Sequence, residues 1–217
     1  TGNRINPYLE MDGSLGSYNT KKLSVNLGTG LMNNKYSIDM RYSLIQSDGY
    51  LDRAASDLSS YYVSASKVTS NSSLRFITFS GKEKTYQAWY GTPQAKVNGD
   101  ASGLLTHYNN NIGSIYKTKE DSLNLFDSGR TYNYYTYDNQ VDDYQQSHYQ
   151  LHYAKQLNES FSYKSALFYT RGKGYFEEYK VDASLAEHGL NNYVIDSTEI
   201  TDCLLYTSPS PRDDISS

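Results

Sequence analysis

Thiols are almost absent from this sequence. Its 217 residues include one cysteine, Cys203, which excludes an intrachain disulfide and a Cys-based zinc site. Long apolar runs are missing as well. None approaches the roughly 18 residues of a membrane helix, although barrel strands carry a much weaker signal and are not excluded. An excess of positive charge is also lacking: the formal net charge is -4, so no nucleic-acid partner is expected. Catalytic signatures are missing too. Gly81-Lys82 lacks the glycine a phosphate loop needs five residues earlier, where Phe76 stands, and Glu83 follows in place of Ser or Thr. There is no GxSxG and no HExxH, and Glu177-Glu178 would point to opposite faces of a strand. Neither an enzyme nor a cofactor is expected.

What is abundant is tyrosine. There are 24, and aromatics make up 14% of the chain. The mean hydropathy of -0.72 is low for a protein with a large dry core. Tyrosine pairs an apolar ring with a wet tip and suits boundaries, while disordered chains are poor in aromatics.

The second abundant feature is alternation. In KYSIDMRYSL, Tyr36, Ile38, Met40, Tyr42 and Leu44 fall on one face, and Lys35, Ser37, Asp39, Arg41 and Ser43 fall on the other. Leu9, Met11 and Leu15 line up in the same way, as do Leu23, Val25, Leu27 and Leu31. So do Tyr149, Leu151, Tyr153 and Leu157, and then Phe161, Tyr163, Leu167 and Tyr169. The stretches Tyr61–Val68 and Leu74–Phe79 are β-rich and less cleanly two-sided.

Connectors between these strands take turns in length. Met32-Asn33-Asn34, Thr69–Ser72 and Asn158-Glu159-Ser160 are short. Gln46–Asp57, Gly81–Gln146 and everything after Glu177 are long, with Gly16–Thr20 the exception. Short turns on one rim and long loops on the other describe an outer-membrane β-barrel, with apolar faces toward lipid and polar faces toward a watery lumen. Tyr36 and Tyr42, roughly 20 Å apart along a strand, would then sit near the two aromatic girdles. A soluble antiparallel sandwich also alternates, but would bury the apolar faces against each other.

Longer phrases carry a resemblance. GSYNTKK, GTGLMNNKYSIDMRYSLIQSDGYLDRAASDL, RFITFSGKEKTYQAWYGTP, DNQVDDYQQSHYQLHY and LFYTRGKGYFEEYK resemble TonB-dependent outer-membrane receptors, in particular Bacteroidetes receptors for iron complexes. The likeness covers nearly all of residues 5–202, and SDGYLDRAASDL and TYQAWYG are its most specific pieces. It implies an all-β, antiparallel up-and-down transmembrane barrel of about 22 strands, of which this chain would supply about seven as an open curved sheet. It further implies uptake of a metal chelate such as a ferric siderophore, with cobalamin or glycans as alternative substrates. The implied partners are outer-membrane lipid and the TonB complex, the latter through a plug and box that precede the barrel. Residues 1–202 would be the N-terminal portion of that barrel. A chain that opens at Thr1 without a signal peptide is expected to be a fragment or a mature protein. CLLYTSPSPRD, from Cys203 to Asp213, resembles the translation of a sequencing adapter, so residues 203–217 are expected to be foreign. A surface adhesin or soluble binding module remains the reading from another class, and a glycan-active protein lacks a convincing acid pair.

Ligand contact is expected in the long segment 81–146. The candidates are Tyr86, Trp89, Tyr90, His107, Tyr108, Arg130, Tyr132 and Tyr135, accompanied by Tyr134 and Tyr137. Aromatics with an arginine suit planar or anionic ligands. The ordinary alternative is that these rings sit on extended strand ends and pack the loop onto itself. No metal site is expected: His148 and His152 would lie about 13 Å apart on one strand. Asp138, Asn139, Asp142 and Asp143 lack EF-hand spacing.

Overall fold

Alternation of side chains translates directly into hydrogen-bonded ladders. In the computed structural model, which describes residues 4–181, 183–184, 186, 189 and the backbone of 205–209, each alternating stretch pairs antiparallel with the next. The strands are β1 (Tyr8–Gly16), β2 (Thr20–Gly28), β3 (Tyr36–Ser47), β4 (Ser56–Val68), β5 (Ser72–Tyr86), β6 (Val141–Gln156), β7 (Ser162–Tyr179) and the short β8 (Leu205–Pro209). They form one open sheet in sequence order, an up-and-down arrangement. Seven strands are long. The eighth falls inside the stretch expected to be foreign, and its backbone pairs with Tyr175–Tyr179. Cys203 and most of the connector after β7 lie outside the described residues.

The register aligns the apolar residues into rungs that cross the whole sheet. One rung runs Leu27, Met40, Val63, Thr78, Tyr149, Tyr169. The next continues Ile38, Ala65, Phe76, Leu151, Leu167. Because side chains alternate, all of these share one face. Among the described residues that face meets no second layer: Leu9, Met11 and Leu167 are 66%, 66% and 70% exposed, and Ile38, Met40, Phe76 and Leu151 are also exposed. The buried apolar residues are Tyr116, Leu125, Tyr132, Val141 and Tyr144, and none belongs to the apolar band. A self-sealed sandwich is thereby replaced by a single sheet with an uncovered oily side.

On the opposite face, polar side chains bond across strands. Ser37 meets Ser66 at 2.7 Å, Ser24 meets Ser43 at 3.1 Å, and Arg75 donates to Ser64 Oγ at 3.1 Å. Tyr8 lies over Gly28 and donates to Asp39 Oδ1 at 2.9 Å; a Cβ at Gly28 would fall 2.3 Å from the Tyr8 ring. Glycine is required there because another side chain lies across the pleat. His148 stacks on Phe79 with ring centroids 4.4 Å apart and bonds Thr170, whereas His152 pairs with Gln150.

Connector lengths sort by rim. Residues 29–35, 69–71 and 157–161 turn at one end, and 17–19, 48–55 and 87–140 at the other. The short 17–19 connector is a tight turn: Tyr18 and Asn19 both have positive φ, the backbone that two-residue hairpins demand. Three expectations need correction. Leu31 lies beyond β2, which ends at Gly28, so it extends no apolar row. β5 and β6 run well past Gly81 and Gln146, to Tyr86 and from Val141, because ladder pairing continues where both faces are polar. The remaining connector is not built of extended strand ends: it folds into helices α1 (Gln94–Asn98), α2 (Ala101–Asn111) and α3 (Lys119–Asp127).

Candidate functional site

The β5–β6 connector is a small folded cap on the long-loop rim. Its helices are locally specified. Asp100 accepts from the Gly103 amide at 2.9 Å and caps α2. Thr118 and Asp121 form a reciprocal capping box at the start of α3. Gly99, at φ 71°, closes α1 in the left-handed conformation. Leu104, Tyr108, Ile115 and Tyr134 pack around the buried trio Tyr116, Leu125 and Tyr132. Lys96 is buried beside them; its ammonium donates to the Leu125 carbonyl near the end of α3 and lies 5.7 Å from the Tyr132 ring centroid. Burial lowers the Lys96 pKa, with Asp127 and Asp52 opposing the shift.

A strap running from residue 129 to 140 ties this cap to the barrel sheet. Asn133, fully buried, is its hub. Its side-chain amide donates to Asp52 O at 2.9 Å and Gln87 O at 3.1 Å, and its Oδ1 accepts from the Tyr135 amide at 3.2 Å. The 48–55 connector clasps the same strap. The Asp52 amide donates to Thr131 O at 2.7 Å, and the Arg53 guanidinium donates to Tyr135 O at 2.9 Å and Asn133 O at 3.3 Å. At the foot of the strap, Tyr86 donates to Tyr137 O at 2.6 Å. Tyr137 in turn donates to Glu177 at 2.7 Å, and Asn139 donates to the same carboxylate. Two connectors far apart in sequence are thus hydrogen-bonded into one unit.

That unit presents a four-ring aromatic surface. Trp89 meets Tyr135 edge-on at 6.5 Å, Tyr90 lies 4.8 Å from Tyr134 and 5.9 Å from Tyr135, and Tyr134 meets Tyr135 at 5.2 Å. Trp89 is 66% exposed and Tyr90 50% exposed, so their faces are available to a planar or apolar ligand while the other two rings back them. Burial pushes the Tyr135 phenol up to about 12, with Tyr90, Glu178 and Tyr134 adding to the shift. Tyr134 and Tyr132 are raised for the same primary reason.

The expected residues therefore divide. Trp89, Tyr90 and Tyr135 come together, joined by Tyr134. His107 and Tyr108 form a separate group around Tyr116, where His107 Nε2 bonds the Tyr116 hydroxyl at 2.9 Å. Tyr132 is only 1% exposed and serves the core of the cap. Arg130 is exposed at the start of the strap. Tyr86 braces the strap. Sequence reading missed Asn133, Arg53 and Lys96. The capping pattern Thr118-x-x-Asp121 was the available sign of a folded cap.

No protein-family model matches the sequence, and no curated protein does. Two solved structures share the fold, both of the ferric-catecholate import receptor Fiu from E. coli K12. The open form superposes with a TM-score of 0.60 at 13% identity, covering 82% of this chain and 25% of that one. The closed form gives 0.60 at 12% identity, covering 95% and 27%. This chain spans about a quarter of the receptor it matches, and the likeness establishes the fold of a section of barrel wall with its loops.

Proposed function

We propose that this chain is part of the wall and outer cap of a TonB-dependent outer-membrane receptor that takes up a metal chelate such as a ferric siderophore. The observation that carries the reading is the Trp89–Tyr90–Tyr134–Tyr135 surface, set on the long-loop rim of a sheet whose other rim, among the described residues, has short turns. Flat exposed rings on a braced cap capture a chelate by stacking, at low entropic cost because the cap is already folded. In this reading the apolar face contacts outer-membrane lipid, and the TonB complex supplies energy through parts of the receptor upstream of β1.

The test is growth of a strain dependent on the complete receptor, supplied with iron only as a defined ferric chelate. Trp89→Ala combined with Tyr90→Ala is expected to weaken chelate binding about tenfold or more, from loss of two stacking contacts, while surface levels stay normal. Dependence on the receptor for cobalamin or a glycan instead of iron would reassign the substrate within the same family. Independence from TonB under every nutrient would overturn the transport reading.

A further inference from the structure

Past the apolar band toward the long-loop rim, the character of the outer face changes abruptly. The rung above Tyr149 and Tyr169 reads Tyr42, Tyr61, Ser80, Ser147, Arg171. The next reads Leu44, Ser59, Lys82, Gln145, Lys173, and the one after that Gln46, Asp57, Lys84, Asp143, Tyr175. Lys82, Lys84, Arg171 and Lys173 consequently share the face of the apolar band, on the two strands that flank β6. All four are exposed, and among the described residues none lies within ion-pair distance of a carboxylate. Lys82 and Lys173 face each other across Gln145. Their Cα atoms are about 10 Å apart by strand spacing, and together with Asp143 and Tyr175 they line a cavity of about 310 Å³.

We infer that Lys82, Lys84, Arg171 and Lys173 form a cationic collar that binds the phosphate groups of an anionic lipid in the outer leaflet. The inference rests on the reading of the apolar face as lipid-facing. Three features commit it to a lipid. The collar adjoins the apolar band with no intervening loop, so a headgroup bound there would leave its acyl chains along Tyr149, Leu151, Leu167 and Tyr169. The charges stand on β5 and β7, both hydrogen-bonded to β6, which fixes their spacing for a headgroup carrying more than one phosphate. Four cations against Asp57, Asp143 and, one rung beyond, the buried Glu177 held by Tyr137 and Asn139 leave a net positive field in a chain whose overall charge is negative. At the opposite rim the same face carries two cations, Lys155 and Lys67, the latter 5.8 Å from the Tyr36 ring centroid, and not a cluster of four.

Native mass spectrometry of the complete receptor in detergent tests the collar, with a diphosphorylated glycolipid as probe and phosphatidylcholine as the zwitterionic control. The wild type is expected to retain the glycolipid preferentially. The variant K82Q/K84Q/R171Q/K173Q is expected to retain at least about tenfold less, while K67Q retains the wild-type amount. Equal retention by the fourfold variant, in protein that still shows heat-modifiable migration, would overturn the collar and leave the barrel reading intact. Displacement by millimolar inorganic phosphate would overturn the lipid as its occupant. Loss of heat-modifiable migration in the wild type itself would overturn the lipid-facing reading on which the collar rests.

Discussion

Single side chains in the cap decide whether the aromatic surface exists at all. Asn133 is fully buried and satisfies two backbone carbonyls and one amide. Asn133→Ala leaves those groups unpaired and is expected to loosen the strap by about 2–3 kcal/mol. Hydrogen exchange should accelerate in residues 129–137 and 50–54 and stay unchanged in β3 and β4. The phenols give a pH signature. Tyr135 holds its proton up to about 12, above the ordinary value of 10, because burial disfavours the phenolate. The folded cap therefore binds more protons than the unfolded one between those values. Its stability is fully present below pH 10 and declines as pH rises from 10 toward 12. Alkaline titration followed by Trp89 fluorescence should show the cap opening in that window. A fluorescence change centred well below pH 10 would contradict this. Toward the long-loop rim, Tyr144 lies across Gly172 and Gly174, where an added Cβ would stand 2.4 Å from its hydroxyl oxygen and 2.7 Å from its ring carbon Cδ2. Gly172→Val is expected to cost about 1–3 kcal/mol by displacing that ring, measurable as a lowered unfolding midpoint.

Each strand is a two-sided element, and its two sides should respond oppositely to charge. Met40→Lys, in the middle of the apolar band, is expected to cost about 2–4 kcal/mol in a barrel refolded into vesicles, whereas Ser43→Lys on the polar face should be nearly neutral. Denaturant titration of the two variants separates them. The strands were legible in the sequence because a ladder with one wet and one oily side imposes period two on residues such as those from Tyr36 to Leu44. Legibility failed where that constraint lapsed. Beyond the band, Lys82, Lys84 and Thr85 pair with Gln145, Asp143 and Asp142, with polar residues on both faces, so no alternation marks the continued pairing. The helices of the cap were hidden for a related reason. Their turns are short and rich in Asn, Ser and Gly, and the residues that hold them together, Leu104, Tyr116, Leu125 and Tyr132, come from separate segments. Asn133 and Arg53 are invisible to sequence reading because their partners lie up to 82 residues away. The aromatic surface was partly legible: Trp89, Tyr90 and Tyr135 stood out by type, but nothing in their spacing separated them from Tyr132, which faces inward.

At the scale of the molecule, the sheet is open among the described residues, with β1 unpaired along one edge and β8 covering only the end of β7 on the other. In hydrocarbon, each unpaired backbone group costs several kcal/mol, so these residues expressed alone are not expected to yield an inserted, heat-modifiable species. The whole reading turns on one question: which side of the sheet meets lipid. Single spin labels at Met40→Cys and Arg41→Cys, in the complete receptor reconstituted into vesicles, answer it directly. The expected result is that the label at position 40 relaxes with membrane-soluble oxygen while its neighbour at 41 relaxes with a water-soluble nickel chelate. Equal access of both labels to the aqueous reagent, or protection of position 40 from both, would contradict it.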